Sequence, residues 1–514
     1  MPLLRKGIPL PAKGVNFAIP STFVENQQAF AENMRYDRGL MRARPGKTTL
    51  GLVTPDASQI MGYGLLQLSS GSKHLVRASR RHVQRYNTGS ATWETISIVN
   101  FSSADEDFFA FANVTESNII VSTNFNEPMY KWPGSGNQAL LGGSPPKAKY
   151  LAYVTPYLLA AYTNDGVSTE PWRIAWSDTS NPEVWSGGNS GEALITDEPS
   201  QIQNIAKLND YVAVYKKDSL ARGLKVDPPD VFRFETILTG VGLAAPRAWA
   251  EAEGQHYFMS SNDFLVWNGI GRPQSIGTAV REHIFGRLDK AKIGRCFALH
   301  VQEQAEIWFF LITAGNSWPT EVWKYNYRFG FWYFDTCLNA TGAIRWPNIT
   351  SLTWDELVGS WDQLQTNWDG FASGLGTEEI MLGHSSGLSS KVDYTVTDDQ
   401  GVAVDKRFIT KDFTADQFEF SARWLKLDLW AKGPGKLYVD YSDDFGSNWT
   451  NIPYTSSVAY ADLTGEMQKL EWYFDLWAMN IRFRIRNSES NETFYLQQVT
   501  PYYLNREETV TFRS

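Results

Sequence analysis

Paired acidic residues are the first groups in this sequence that could do chemistry. Asp105-Glu106-Asp107 and Glu378-Glu379 each place carboxylates side by side, and glycoside hydrolysis needs two carboxyl groups in complementary roles. Those roles depend on a defined separation, and nothing in the spacing of these runs selects a pair. Runs of like charge are commonly solvated. We therefore predict surface loops at both places and assign no catalytic residue.

A second acidic pattern predicts a turn rather than a reaction. Residues 442–449 have the sequence SDDFGSNW, which matches the Asp-box pattern S-x-D-x-G-x-x-W, and an alternating strand leads into it. We expect Asp444 to accept backbone N–H bonds across a hairpin turn and Gly446 to adopt a positive φ. Trp449 is expected to fold back over the hairpin. The box carries no chemistry itself, and it occurs in sialidases and in many β proteins that are not enzymes.

A sialidase would need further groups besides an Asp box. Its chemistry requires an arginine cluster for the substrate carboxylate, a Tyr–Glu nucleophile pair and an acid. The nearest match to the arginine-bearing R-I-P segment is Phe17-Ala18-Ile19-Pro20, which lacks the arginine. A glycan-binding or glycoside-hydrolysing, sialidase-like protein is therefore the alternative hypothesis.

Other patterns associated with catalysis or cofactors are incomplete. Gly240-Val241-Gly242 lacks the following glycine and the βαβ context of a dinucleotide site. Cys296 and Cys337 have no Cys or His partner at the spacing of a zinc site, and the six histidines are scattered. We predict that the protein is not an enzyme, that it uses no cofactor or metal, and that it has no catalytic, cofactor-binding or metal-binding residues.

The densest basic segment covers residues 73–85, with the sequence KHLVRASRRHVQR. Such a segment can contact phosphate groups, or it can be the exposed face of a hairpin at a subunit contact. The aromatic residues that single-strand binders interleave with their cations are absent here. The net charge of −9 also argues against general nucleic-acid binding. We predict the exposed hairpin.

The elements that position these residues are predicted to be β-strands. The chain has 514 residues, and its 20 Trp, 23 Tyr and 40 Gly favour many short strands separated by turns. Groups of three or four strands recur between residues 51 and 400, and 297–334 contain the clearest group. This spacing is typical of β-propeller blades, and six or seven blades would close a ring. Trp185, Trp267 and Trp332 are predicted to pack at blade edges or turns.

The domain organisation follows from changes in this pattern. Residues 1–50 are predicted to be extended, with one helix over 24–36, and residues 277–288 predict a helix within the propeller. Residues 405–514 contain strictly alternating strands and the Asp-box hairpin, so we predict a C-terminal β-sandwich there. The start of the sequence lacks the apolar core of a signal peptide, and the sequence contains no apolar run of about 18 residues that would span a membrane.

Several short motifs follow one another in an order that carries a family resemblance. The first is Arg42-Ala43-Arg44-Pro45-Gly46, and the second is Ala175-Trp176-Ser177-Asp178 followed by Pro182 and Trp185. The remaining ones are Phe232-Arg233-Phe234 leading to residues 240–246 (GVGLAAP), residues 257–269 (YFMSSNDFLVWNG), Tyr325-Asn326-Tyr327 before Gly330-Phe331-Trp332, and the YSDDFGSNW hairpin.

In this order the motifs resemble the tail nozzle, or tail hub, proteins of short-tailed bacteriophages, also called packaged-DNA stabilisation proteins. The resemblance implies a β-propeller plus β-sandwich subunit that is made in the host cytoplasm and located in the virion. It implies a homo-oligomeric ring of six copies that contacts the tail adaptor and portal proteins and the tail fibres or spikes. The ring would retain packaged double-stranded DNA and conduct it during ejection, without catalytic residues.

The charge balance suits such a conduit. Each Lys or Arg contact to a phosphate gains affinity by releasing counterions, so a basic lumen would hold DNA that has to slide. A neutral or acidic lumen keeps the duplex mobile, and the net charge of −9 is consistent with one. We therefore expect residues 73–85 at a subunit or adaptor contact or on the outside, with Arg77, Arg80, Arg81 and Arg85 away from the channel.

Overall fold

The computed structural model describes residues 4–5, 8–9, 13–20, 22–23, 30–37, 40–179, 181–227, 230–347, 378–414 and 421–505. Within these ranges the chain is almost entirely β, with one α-helix, α1 (Arg281–Phe285), and three single-turn 3-10 helices. The 3-10 helices are Thr115–Ser117, Ile293–Arg295 and Gln302–Gln304. None of the helices in the described ranges has the length and apolar character needed to cross a membrane.

The N-terminal part of the described chain contributes short strands to both domains. These strands are β1 (Leu4–Arg5), β2 (Ile8–Pro9), β3 (Phe30–Glu32), β4 (Met34–Asp37), β5 (Leu40–Ala43) and β6 (Gly46–Thr49). The backbone is extended as predicted, but the predicted helix over 24–36 is wrong where the structure describes it. Phe30 and Met34, four residues apart, lie in β3 and β4 because strand partners take up their backbone groups. Residues 24–29 lie outside the described residues.

Four antiparallel sheets of four strands each follow in chain order. Blade 1 contains β7 (Gly62–Gln67), β8 (Lys73–Ala78), β9 (Val83–Asn87) and β10 (Thr92–Thr95). Blade 2 contains β11 (Ala110–Val114), β12 (Ile119–Thr123), β13 (Tyr130–Trp132) and β14 (Ala139–Leu140). Blade 3 contains β15 (Lys147–Val154), β16 (Tyr157–Asn164), β17 (Thr169–Trp176) and β18 (Gly191–Leu194). Blade 4 contains β19 (Ile202–Leu208), β20 (Tyr211–Lys216), β21 (Ser219–Lys225) and β22 (Phe232–Thr239).

Three more blades complete the propeller. Blade 5 contains β23 (Trp249–Ala252), β24 (Gln255–Met259), β25 (Phe264–Trp267) and β26 (Gln274–Ser275). Blade 6 contains β27 (Phe297–Val301), β28 (Glu306–Leu311), β29 (Glu321–Asn326) and β30 (Phe331–Thr336). Blade 7 contains β31 (Ala340–Pro347), β32 (Glu378–His384) and β33 (Ser389–Asp393), and its fourth strand is β6. The described residues therefore form a seven-bladed propeller, within the predicted range of six or seven.

The first strand of each blade faces the centre, and neighbouring first strands lie side by side around the ring. β7 contacts β11 and β31, and β15 contacts β11 and β19. Between β19 and β23, the Asn204 side chain donates to the Pro246 carbonyl at 2.5 Å. β6 closes the ring by pairing antiparallel with β33, with Lys47 opposite Val392. The predicted boundary at residue 51 therefore omits the closing strand, which is short and lies far in sequence from its partner.

Two blade turns share the sequence motif W-x-G-x-G and the same hydrogen bond. Trp132 ends β13 and donates its Nε1 hydrogen to the Gly136 carbonyl at 3.0 Å, and Trp267 ends β25 and donates to Gly271 at 3.1 Å. The two glycines of each turn have φ values of +92° and +64° in blade 2, and +88° and +64° in blade 5. A side chain is strained at such φ values, so glycine is favoured at both positions. The same sequence therefore builds the same turn in both blades.

The other predicted packing residues agree in part with the structure. Trp267 and Trp332 are buried, whereas Trp185 is half-buried and donates to the Pro182 carbonyl at 2.8 Å. The predicted helix over 277–288 is present only as α1 (Arg281–Phe285), which packs Ile284 into the core.

The C-terminal domain is a two-sheet sandwich, as predicted. Its strands are β34 (Lys406–Ile409), β35 (Phe413–Thr414), β36 (Ala422–Lys432), β37 (Gly435–Ser442), β38 (Thr450–Asn451), β39 (Tyr460–Leu463), β40 (Gln468–Ala478), β41 (Asn480–Asn487) and β42 (Tyr495–Asn505). One sheet has the order β4-β5-β42-β36-β40, and the other contains β3, β34, β41 and β37. In β41, Ile481, Phe483 and Ile485 are buried between the sheets, so the alternating pattern places one face of the strand in the core.

Strand β3 joins the two domains. It pairs in parallel with β30 of blade 6, with Glu32 opposite Phe334, and antiparallel with β34 of the sandwich, with Phe30 opposite Ile409. The sheet of blade 6 therefore continues into the sandwich. Phe30 also packs on Phe334, with ring centroids 5.8 Å apart.

A group of buried ionic contacts lies beside this boundary, where blades 6 and 7 meet. We call this group the clasp: Arg44, Lys47, Lys324, Asp335 and Asp399. Arg44 lies between β5 of the sandwich and β6 of blade 7, and it donates twice to Asp399, at 2.7 and 2.9 Å. Lys47 donates to Asp399 at 2.9 Å, and Lys324 pairs with Asp335. All five side chains are buried. The two cations beside Asp399 hold its pKa well below the ordinary value, against the opposing effect of burial.

Candidate functional site: the central cavity of the propeller

The residues singled out from the sequence do not gather at one place. The Asp box forms the predicted hairpin between β37 and β38, with Asp440 opposite Asn451. Asp444 accepts from the Asn448 backbone at 2.9 Å, and Gly446 has a φ of +89°. These hydrogen bonds lower the pKa of Asp444 to about 2. The hairpin prediction is therefore confirmed.

Arginines of the basic segment 73–85 make hydrogen bonds and ion pairs within the propeller. Arg77 is buried between blades 1 and 7, where it donates to Gln84 at 3.0 Å and to Ser389 at 2.9 Å and lies over Trp93. Burial lowers its pKa to about 10. Arg85 pairs with Glu94 at 2.7 Å. The prediction of an exposed hairpin face is therefore wrong at Arg77, because the neighbouring blade supplies acceptors that the local sequence cannot show.

The centre of the propeller contains a cavity of about 840 Å³. The first strands of blades 2 to 5 form most of its wall, together with residues that precede blades 2, 5 and 6. Its lining combines aromatic, amide and charged groups, among them Tyr63, Phe111, Tyr150, Gln203, Lys207 and Trp249. Ligand sites in proteins are commonly clefts of about 300–1,000 Å³ with this kind of mixed lining. The cavity is therefore the candidate site.

Arg247 extends from the start of blade 5 to several other blades. Its Nη1 donates to the Thr341 carbonyl of blade 7 at 2.7 Å. Its guanidinium carbon lies 3.4 Å from the centroid of Phe108, which precedes blade 2, and 5.4 Å from that of Phe297 in blade 6. Its Nε and Nη2 are buried and have no hydrogen-bond acceptor within the described ranges. Burial lowers the pKa of Arg247 to about 9.

Glu106 and Asp107 of the acidic turn 105–107 line this cavity. Asp105 accepts from Gln59 at 3.0 Å and pairs with Arg80 at 3.4 Å. Arg295, just before blade 6, pairs with Asp105 at 3.5 Å and with Glu106 at 3.3 Å. The turn is partly exposed, as a loop should be, but it also links the start of blade 2 to blade 6.

The other predicted carboxylates are located elsewhere. The surface loop predicted at Glu378-Glu379 is wrong, because both residues begin β32 and pair with β31 of blade 7. Glu379 pairs with Lys391 of β33 at 3.2 Å. Cys296 and Cys337 are buried as free thiols, and burial raises the pKa of each to about 12. In the ranges that the structure describes, no group of three or more His, Cys, Asp or Glu residues is arranged to hold a metal ion.

Arg247 is the residue of this site that the sequence analysis missed. It follows the GVGLAAP motif directly and precedes the first strand of blade 5. An arginine at the start of a central strand is a usable signal only once the blade boundaries are known. The cavity itself depends on four blades, so no local pattern could predict it.

Comparisons with known proteins support no family assignment. No family model matches the sequence, and no curated protein matches it significantly. Among solved structures, the AfRom2 CNH domain aligns with a TM-score of 0.39 and 10% identity, covering 68% of this chain and 99% of its own. YCF48 bound to D1 peptide aligns with a TM-score of 0.37 and 8% identity, covering 74% and 98%. The fold assignment rests on the sheets described above.

Proposed function

We propose that this chain is a structural virion protein of a phage tail, whose copies form a ring that retains packaged DNA and conducts it during ejection. The ring would have six copies and contact adaptor, portal and fibre or spike proteins, as the motif order implies. The observation that carries the proposal is the continuous sheet through β3, which makes the propeller and sandwich one unit. A conduit subunit must keep its shape while DNA moves past it, and such a joint serves that need.

The clasp supports the same proposal. Its five buried charges join blades 6 and 7 beside the sandwich, and moving these blades apart would leave charges without partners. A protein that opens and closes around a substrate has less use for such a group. A subunit under mechanical load benefits from it.

The proposal is tested with the purified full chain by mass photometry over a wide concentration range, followed by duplex-DNA retention in a gel. We expect a ring-sized species to form as concentration rises. We also expect DNA binding weaker than a Kd of about 10⁻⁴ M at physiological salt, which is the weak limit of ordinary non-specific binders. A protein that is monomeric at every concentration, or a tight salt-dependent complex with DNA, would contradict the proposal.

The alternative is a glycan-binding or glycoside-hydrolysing propeller protein. One observation favours the binding form of this alternative, namely the central cavity with aromatic and amide groups in its wall. A hydrolase would in addition need two carboxyl groups that face each other across a bound sugar. Turnover of a chromogenic glycoside by the purified protein would favour a hydrolase over a phage-tail protein and over a protein that only binds glycans.

A further inference from the structure

Arg247 differs from Arg77 and Arg44 in its hydrogen bonds. Arg77 donates to Gln84, Ser389 and the Leu52 carbonyl, and Arg44 donates twice to Asp399. Arg247 has the Thr341 carbonyl as acceptor for Nη1, while its buried Nε and Nη2 find no acceptor among the residues that the structure describes. Leaving a charged donor buried without an acceptor costs free energy. An anionic ligand that accepts these hydrogens would recover that cost.

The surroundings of Arg247 indicate which anion would fit. The cavity of about 840 Å³ is far larger than an inorganic anion needs. Aromatic rings such as Tyr63 and Trp249 can lie against the apolar faces of a sugar, and the Gln203 amide can exchange hydrogen bonds with hydroxyl groups. A planar guanidinium matches a carboxylate with two parallel hydrogen bonds.

We infer that the central cavity of the propeller binds a sugar that carries a carboxylate, with Arg247 as the carboxylate-binding residue. The Phe108 ring covers the guanidinium in the structure, so the ligand reaches Arg247 when this ring turns aside. The acidic turn just before Phe108 is anchored by Arg295, and Phe108 covers the Arg247 guanidinium. This inference stands independently of ring assembly.

The test compares two sugars that differ in one group. Glucuronic acid and glucose have the same ring, and the carboxylate is present in the first alone. Saturation-transfer NMR with the full-length protein should show that glucuronate binds at least about 10-fold more tightly than glucose, the scale of a hydrogen bond to a charged group. Acetate and inorganic phosphate serve as further probes, and each should bind more weakly than glucuronate.

Variants assign the effect to the proposed residues. Arg247→Met should abolish the preference for glucuronate, and Phe108→Ala should tighten glucuronate binding by uncovering the guanidinium. Arg233→Met is the matched control, because Arg233 is exposed on the outer strand of blade 4. Thermal melts show whether each variant is folded, and the uncharged Arg247→Gln replaces the methionine variant if that one is not.

Three results would overturn the inference. They are equal or absent binding of glucuronate and glucose by the wild-type protein, retention of the preference in the folded Arg247 variant, and binding of acetate as tight as that of glucuronate. The ring proposal would survive each of them, since oligomer size is measured separately.

Discussion

The guanidinium groups of two arginines in this molecule differ in their hydrogen bonds. Arg44 in the clasp has a bidentate partner in Asp399 and a further acceptor in Asn33 at 2.9 Å. Arg247 at the centre of the propeller has aromatic rings on its faces, and its buried Nε and Nη2 have no acceptor in the part of the chain that the structure describes. A satisfied buried charge holds two parts of a structure together, whereas an unsatisfied one is available to a ligand. The comparison therefore separates the structural region of the protein from its candidate binding site.

The largest expected effect is at the clasp. Arg44→Met should destabilise the protein by about 3–5 kcal/mol, because it leaves buried Asp399 with one partner fewer. Arg247→Met should change stability far less, or increase it, because it replaces a poorly satisfied charge with an apolar chain. Urea denaturation measures both. Asp475→Asn is the control, because its ion pair with Arg423 is exposed and the unfolding midpoint should hardly move. Equal losses of stability in Arg44→Met and Arg247→Met would show that the two arginines do not differ in the way described.

A second prediction concerns a carboxyl group near the clasp. Glu306 is buried and accepts from Trp308 Nε1 at 2.7 Å, and burial raises its pKa from 4.5 to about 7. Because the folded-state pKa is the higher one, the stability that Glu306 contributes is full below about pH 4.5 and is lost as pH rises through about 7. Glu306→Gln should therefore stabilise the protein by roughly 3 kcal/mol at pH 8 relative to wild type.

The difference between Glu306→Gln and wild type should disappear near pH 4. Chemical denaturation at several pH values measures this difference in the free energy of unfolding. Asp475→Asn is the control, and its effect on that free energy should not show the same dependence on pH. A constant difference at all pH values would show that the burial of Glu306 does not control its titration.

A smaller effect on stability is expected at the Asp box, which lies in neither the clasp nor the central cavity. Trp449 is half-buried, and the Arg484 guanidinium lies 4.5 Å from its ring centroid. Trp449→Ala should cost about 2 kcal/mol, less than the 3–5 kcal/mol of a fully buried aromatic residue. Unfolding followed by tryptophan fluorescence and circular dichroism measures the loss. An unchanged melting curve would mean that the ring contributes nothing to the hairpin.

The smallest predicted change tests the repeated blade turn. Gly136→Ala and Gly271→Ala should each cost about 1–2 kcal/mol, because both positions have a φ of +64° while an added Cβ would meet no neighbour. Gly465→Ala is the control, since its Cβ would also meet nothing and its φ is not positive. Differential scanning calorimetry of the three variants compares them. Unequal effects at the two turns would show that the W-x-G-x-G sequences do not build equivalent structures.

These features differ in how far the sequence could reveal them. Strand grouping and alternation predict the propeller and sandwich because residues 297–334 and β41 carry their pattern locally. The ring closure by β6, the joint through β3 and the acceptors of Arg77 depend on contacts between distant segments. Arg247 is the extreme case, since its contacts Phe108, Phe297 and Thr341 lie in or next to three other blades. Local patterns therefore predict the elements, and the candidate site becomes visible only once the blades are assembled.

The most direct measurement of the central claim is electron cryomicroscopy of the purified protein at a concentration where mass photometry detects its largest species. The account predicts a ring of several copies, with propeller and sandwich in one fixed arrangement in every copy. It also predicts that Arg80, Arg81 and Arg85 do not line the lumen. A monomer, or a channel lined by these arginines, would contradict it.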